Sequence, residues 1–409
     1  MTLQLYGRVE YEKLIKPIMM TAKIISIWPL ERDCEWSVAV LRKFHLCFMY
    51  LLVLVMSFAV TADVVHNLDN LDEATECALI CSAFYLCIVR LTVYSIHQKD
   101  MLYVVTTMKE DWISASFDDR VVLREKSLFA FRLAKYFIST VAITIVIFMC
   151  VPVLEIYVLG VSEKIFPFRG YFFINQTQSP IFEFLYIFNV TAGGFGGSMI
   201  AGATSFNLVV IMHGSAKFAV LRKRLEAVNS NDPEATALIG DCVTRHQEAI
   251  TYADALERII NVLALGQFVI STGLICFAGF QITSMMEDKG RLMKYSTFLN
   301  SAILELFMFS FSGNGLIDES EAVGESAYNS GWIAGSYSRS LQIMMMRSRI
   351  PSKITAAKFY SMSLESFSAV SFFRQYLQND FKTFLTQYSI DFSGPQFVLL
   401  LLHCLECCE

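Results

Sequence analysis

The sequence predicts an all-α membrane protein with seven transmembrane helices, a cytoplasmic N-terminus and a cytoplasmic helical anchor domain. Three observations predict it. Of 409 residues, 55% are hydrophobic and only 17% are charged, against roughly a quarter charged in ordinary soluble domains. The apolar residues fall in runs of about 20, the length at which a helix crosses hydrocarbon while satisfying its own backbone polar groups. The basic residues collect on one side of those runs, and that asymmetry sets orientation in a bilayer.

Taken in order, residues 1–43 form an amphipathic N-terminal segment with seven basic residues and no cleavable signal peptide. The first apolar run then serves as the insertion signal. Spanning runs follow at 44–64, 76–96, 136–159, 182–212, 259–282 and 297–317, with a seventh and more polar one at 354–373. The fourth exceeds one membrane thickness, so it should tilt or project beyond the bilayer. With the N-terminus inside, the segments 1–43, 97–130, 213–257 and 318–353 carry 7, 5, 5 and 4 Lys and Arg. The outer segments 63–75, 159–181 and 283–296 carry 0, 2 and 3. Seven spans put the C-terminus outside, opposite to a G-protein-coupled receptor. Asn175-Gln176-Thr177 is an N-glycosylation sequon in the loop 160–181, which this topology places outside. A second sequon, Asn189-Val190-Thr191, lies within the fourth span and should stay unmodified. Residues 213–258 and 318–350 continue helically out of their spans, which suggests a packed cytoplasmic bundle. There is no internal repeat, which weighs against inverted-repeat transporters.

The residues point to a binding protein rather than an enzyme. A net charge of −5 indicates no nucleic-acid partner, and no catalytic, cofactor-binding or metal-binding signature is present. Most cysteines, such as Cys47, Cys81, Cys87, Cys150 and Cys276, lie in apolar runs and behave as small hydrophobes. The terminal group His403, Cys404, Cys407 and Cys408 has no second ligand pair beside it for zinc. The run Gly193–Gly197 fits close helix packing continued by Ala201, with a hinge beside a ligand pocket as the alternative. Among polar residues inside spans, Arg90 is expected to snorkel to the headgroups. Glu155 and Glu183 sit near the outer surface, and Glu305 should face protein or an aqueous path. Lys358 and Glu365, seven apart, fall on one helical face. With Ser361, Ser363, Ser366 and Ser368 they make the seventh helix the wettest, as expected of one lining a pore. Aromatics cluster toward the outer ends of neighbouring spans: Phe84, Tyr85, Phe148, Tyr157, Phe184, Tyr186 and Phe188, with Pro152 beside them. A pocket for a small apolar volatile ligand needs dispersion and shape with few polar groups.

Three stretches resemble the insect odorant receptor family. They are Ser179-Pro180-Ile181-Phe182-Glu183-Phe184-Leu185-Tyr186, Arg245-His246-Gln247-Glu248-Ala249-Ile250, and the long stretch from Glu319-Ser320 onward. The last runs through Ala327-Tyr328, Trp332, Met344-Met345-Met346-Arg347 and Ile350-Pro351 to Lys358-Phe359-Tyr360-Ser361-Met362-Ser363-Leu364-Glu365-Ser366-Phe367. The resemblance implies an odorant-sensing tuning subunit of a ligand-gated non-selective cation channel in the plasma membrane of olfactory neurons. It further implies a heterotetramer with a co-receptor subunit, Tyr328 and Trp332 in the subunit anchor, and Ser363, Ser366, Phe367 and Val370 lining the pore. Odorants would bind in the outer half of the membrane, in the pocket read above. The related gustatory receptor family shares the architecture, but the Ser-Leu-Glu-Ser-Phe form favours odorant. A G-protein-coupled receptor lacks support from orientation or motif. After Val370 the chain departs from the family pattern: 374–409 reads as an atypical ending, expected outside the membrane.

Overall fold

The computed structural model describes residues 2–31, 34–158, 164–228, 234–284, 289–330, 337–365 and 367–368. The expected sites Trp332, Ser366 and Val370, the tail 371–409 and the terminal His/Cys group lie outside them. Among the described residues the elements run α1 (Thr2–Ile24), α2 (Trp36–His66), α3 (Leu71–Ile96), α4 (Gln98–Ser114), α5 (Phe117–Tyr157) and α6 (Ile181–Glu226). Then come α7 (Ala235–Ser284), α8 (Lys289–Asn329), α9 (Ser338–Ser348) and a two-stranded hairpin of β1 (Thr355–Ala356) and β2 (Tyr360–Ser361).

Helices α2, α3, α5, α6 and α7 are each long and apolar enough to cross a membrane; α8 matches α5 in length and is more polar. On α2, Phe44, Leu51 and Phe58 stand seven residues apart on one face, and all remain well exposed. Such a stripe fits a lipid-facing surface, because hydrocarbon solvates it at no cost. The central element is α6, flanked by α5, α7 and α8. Its 46 residues reach about 70 Å at about 1.5 Å per residue, more than twice the ~30 Å hydrocarbon thickness. Helices α5 to α8 therefore share a common extension beyond the spans. One end of the bundle holds the connecting residues 67–70 and 164–180 (the loop end); the other holds this extension with α4 and α9 (the extension end).

Ion pairs knit the extension end. Glu319 of α8 accepts from Lys126 of α5 and Arg222 of α6, both at 2.7 Å. Asp111 of α4 takes Lys217 at 2.7 Å and His213 at 2.9 Å, both from α6. Burial alone would push the Asp111 carboxyl up. The hydrogen bonds from His213 and Lys217 outweigh it and hold that carboxyl below the usual carboxylate range.

The expected helix at 354–373 does not start at Ile354. Residues 355–361 form the hairpin, with Ala357 and Lys358 in the left-handed region of its turn, and helix begins only at Leu364. The cause is polar capture by α7. The Thr355 amide donates to Glu257 Oε2 at 2.8 Å, its hydroxyl donates to the same carboxylate, and Asn261 Nδ2 donates to Thr355 Oγ1 at 2.8 Å. Lys358 therefore sits at an exposed hairpin tip and shares no helical face with Glu365. Gly313 of α8 lets the Met362 backbone approach, since a Cβ there would lie 2.3 Å from the Met362 carbonyl oxygen.

Arg90 also departs from expectation. Instead of snorkelling it is 2% exposed, ion-paired with Glu305 of α8 and donating to Gln267 of α7. Thr204 of α6 donates to the same Glu305 oxygen at 2.6 Å. A guanidinium with a carboxylate within reach is more stable paired than alone, and the pair ties α3, α6, α7 and α8 together at mid-bundle. Removing one partner of a buried pair leaves an uncompensated charge and costs about 3–5 kcal/mol, whereas apolar replacement of both is far milder. Glu305→Ala should therefore lower the thermal stability of the purified protein sharply. The double variant Arg90→Met with Glu305→Met should recover most of the loss, and equal losses in both variants would show that the pair is not the tie.

Candidate functional site

The structure gathers aromatic rings at the loop end, between α3, α5 and α6. Phe84 (4% exposed) and Phe148 (2% exposed) are both in the core. They do not meet directly. Between them lies Phe168, from the α5–α6 connection, stacked on Phe148 at 5.3 Å and 12° and edge-on to Phe84 at 6.3 Å and 84°. Beside Phe148 stand Tyr295 and Phe298 of α8, at 6.3 and 6.2 Å. A second group, Phe166, Phe182 and Tyr186, joins the connection to the start of α6, with Phe166 and Phe182 at 5.0 Å.

Local chemistry explains how a loop residue reaches this depth. Asn189 of α6 has no accessible surface, and its amide pairs with one residue of the connection. The Phe168 N–H donates to Asn189 Oδ1 at 2.9 Å, and Asn189 Nδ2 donates to the Phe168 carbonyl at 2.7 Å. One turn on, Gly193 supplies the space: a Cβ there would lie 2.0 Å from Phe168 Cε2. Gly196 faces Phe84, and a Cβ at Gly197 would lie 2.1 Å from Ile145 Cδ1 of α5. The glycine run thus packs α6 closely on α5 at one position and admits a loop ring at another.

The next residue fixes the connection electrostatically. Arg169 lies 3.4 Å from Asp63 of α2 and 3.0 and 3.7 Å from Glu73 and Glu76 of α3. Burial lowers the guanidinium's proton affinity, but these acidic neighbours raise it further, so its pKa stands above the ordinary arginine value. Arg291 of α8 lies 3.7 Å from Glu76, and the Tyr295 hydroxyl donates to the same carboxylate. The Tyr171 N–H completes the attachment, donating to the Ala59 carbonyl of α2 at 2.9 Å.

Residues 70–373, more than half of the chain, match the family model described as 7tm Odorant receptor. The chain belongs to the odorant receptor family. It is 25% identical over 394 residues to odorant receptor 13a of Drosophila melanogaster, covering 88% of this chain and 93% of that one. It is 26% identical to odorant receptor 67c of the same fly over 214 residues, 51% and 52% of the two chains. Its fold is that of the insect olfactory receptor OR5 from Machilis hrabei, with TM-score 0.79 over 91% of this chain and 98% of that one at 14% identity. A structure of OR5 in complex with eugenol gives TM-score 0.75 at 15% identity, over 90% and 97% of the chains. This receptor is thus a multi-pass membrane protein with the seven-helix fold of its family.

The aromatic residues read from sequence are not all brought together. Phe84, Phe148 and Pro152 are buried; Phe188 is half-buried on Phe172 of the connection, at 6.0 Å. Tyr157 is at the end of α5. Tyr85 and Phe184 face outward, 46% and 72% exposed. A helix turns about 100° per residue, so Tyr85 follows Phe84 away from the cluster, and Phe184 lies opposite the face shared by Phe182 and Tyr186. The Tyr85 hydroxyl instead reaches Thr61 of α2 at 3.2 Å. Of the expected pore residues, Phe367 packs on Phe307 of α8 at 5.7 Å and Ser363 is half-buried, while Leu364, Glu365 and Ser368 are exposed. Tyr328 of the expected anchor is 65% exposed. Asn175 is exposed on the connection, with Thr177 Oγ1 donating to its Oδ1 at 3.1 Å.

Phe168, Asn189 and Arg169 were not legible as a unit in the sequence. A polar Asn inside a spanning run was the available signal, since such a residue needs buried partners. Losing its amide leaves two backbone groups of Phe168 unpaired, at about 1–3 kcal/mol each. Asn189→Leu should therefore speed hydrogen exchange of the Phe168 amide and its neighbours while the amides of α6 stay protected. Unchanged exchange there would show that Arg169 and the Tyr171–Ala59 hydrogen bond hold the connection without Asn189.

Proposed function

We propose that this chain is an odorant-sensing tuning subunit of a heterotetrameric, ligand-gated cation channel. It would sit in the olfactory neuron's plasma membrane with its N-terminus in the cytoplasm. A small apolar volatile molecule binds in the aromatic cluster around Phe84 and Phe148, with Pro152 and Phe188 at its margin. The observation that carries this reading is the cluster itself: buried aromatic faces from α3, α5 and α8 meeting a loop ring rather than another helix, in a chain of the odorant receptor family. The complex of OR5 with eugenol supports it. Membership of the family and the exposed apolar residues Tyr328, Ile343, Met346 and Ile350 at the extension end favour assembly with a co-receptor subunit there. The exposed Leu364, Glu365 and Ser368 suit a face turned toward a shared pore.

The test is co-expression with an insect co-receptor and recording of currents to a panel of volatiles. Currents should require both chains. Phe84→Leu and Phe148→Leu should each shift sensitivities tenfold or more, because losing one aromatic contact costs a ligand on the order of 1–3 kcal/mol. Unitary conductance should stay constant. Dose–response curves untouched by both substitutions would place the ligand elsewhere. Odour-evoked, G-protein-dependent signalling without a co-receptor would overturn the channel reading.

The orientation rests on the basic residues and has its own check. An epitope at the N-terminus should be reachable only after permeabilisation, and Asn175→Gln should remove a glycan from the α5–α6 connection. N-terminal staining of intact cells is the opposite result.

A further inference from the structure

The loop ring occupies the place where a ligand would be expected. Phe168 is stacked against Phe148 and edge-on to Phe84, the offset and T-shaped arrangements that aromatic rings prefer. Its edge enters the space over Gly193, where any side chain would collide with it. The geometry is that of a slot shaped for one flat six-membered ring, currently filled by the chain itself. Two features make this occupant different from an ordinary core residue. Phe84 and Phe148 are buried, yet Phe168 between them is only half-buried, so part of it remains accessible. Its backbone is held by Asn189 on one side and, through Arg169, by Asp63, Glu73 and Glu76 on the other. The attachments hold the backbone of the connection and the Arg169 side chain, and none of them holds the Phe168 ring itself.

We propose that Phe168 is an intramolecular competitor for this slot, and that the slot takes small molecules bearing a single unfused aromatic ring. A ligand must displace the Phe168 ring, so its apparent affinity is its intrinsic affinity reduced by the fraction of time the slot stands open. Removing the ring creates a dry apolar space of ring shape, and engineered apolar cavities of that kind bind benzene. The proposal rests on the reading of this cluster as the ligand site and adds the ligand class and the residue that sets sensitivity.

The experiment uses the purified full-length receptor in lipid nanodiscs, with benzene and cyclohexane as probes. The two are similar in size and apolarity, so lipid partitioning affects them alike, and only benzene is flat. Thermal unfolding is followed as each probe is titrated. In Phe168→Ala, benzene should raise the unfolding midpoint at concentrations at least tenfold below those needed for the native chain, and cyclohexane should have little effect. Phe168→Leu, which keeps more of the packing, should show a smaller gain of the same sign. Adding Gly193→Ala to Phe168→Ala should weaken the benzene response, because the new methyl enters the slot. A benzene response equal in native and both variant chains, or a cyclohexane response as large as that of benzene, overturns the proposal. These readouts are independent of the channel currents. Benzene binding that tracks Phe168 without any odour-evoked current sinks the functional reading and supports the slot. Currents that respond to Phe84 and Phe148, with no benzene difference at Phe168, do the reverse.

Discussion

A guanidinium buried inside an apolar helix bundle has to be paired, and the rest of this bundle is arranged around how that is done. Arg90 comes from α3, Glu305 from α8, Gln267 from α7 and Thr204 from α6. The four helices cannot slide or rotate relative to one another without separating a charge from its partner in a medium that screens it poorly. Such a constraint fixes register where dispersion between apolar helices is nearly indifferent to it, since lipid tails and leucine side chains pack about equally well. The loop-end aromatic cluster lies nearby on the same α3 and α8. Its ring geometry therefore depends on a register set by the ion pair.

Above that tie, the α5–α6 connection behaves as part of the core. Asn189 supplies the partners that a loop backbone needs when it leaves water. Arg169 meets three carboxylates from two helices, and Gly193 removes the side chain that would exclude Phe168. Each device answers a separate requirement of bringing irregular chain into a membrane bundle: hydrogen bonding, charge compensation and volume. At the other end, Glu319, Asp111 and their basic partners perform the equivalent task for helices that project into water, where such pairs are screened and individually weaker. The bundle is thus held by a few polar ties in the middle and at each end.

The sequence by itself determined the class of fold and most of the helical segments. Runs of apolar residues long enough to span hydrocarbon admit one solution, because every backbone N–H and C=O must be satisfied within the segment. The over-long fourth run announced α6, and the helical lead into the fifth run reappears in α7. Of the helix expected at 318–350, the end of α8 covers the part up to Asn329 and α9 the part from Ser338 to Ser348. Glu305 was expected to face protein or an aqueous path, and it faces protein. The family was legible in the stretch from Glu319 to Phe367, which tertiary structure did not have to supply.

Tertiary structure alone decided who partners whom. Arg90 looked free to reach the headgroups because nothing local marks Glu305, 215 positions away, as its neighbour. The stretch at 354–361 had the composition of a polar helix, and only Glu257 and Asn261 on α7 drew Thr355 into a hairpin. Tyr85 and Phe184 were grouped with Phe84 and Phe148 by depth alone, since depth along a span is readable but the azimuth of each helix is set by its contacts. Phe168 is the clearest case: in the sequence it is one aromatic in a loop, and its place between two helices exists because Asn189 and Gly193 stand one turn apart on a third. Hydrophobicity is a property each residue carries with it. A site is a property of distances between residues far apart in the chain, and these are fixed only when the helices pack.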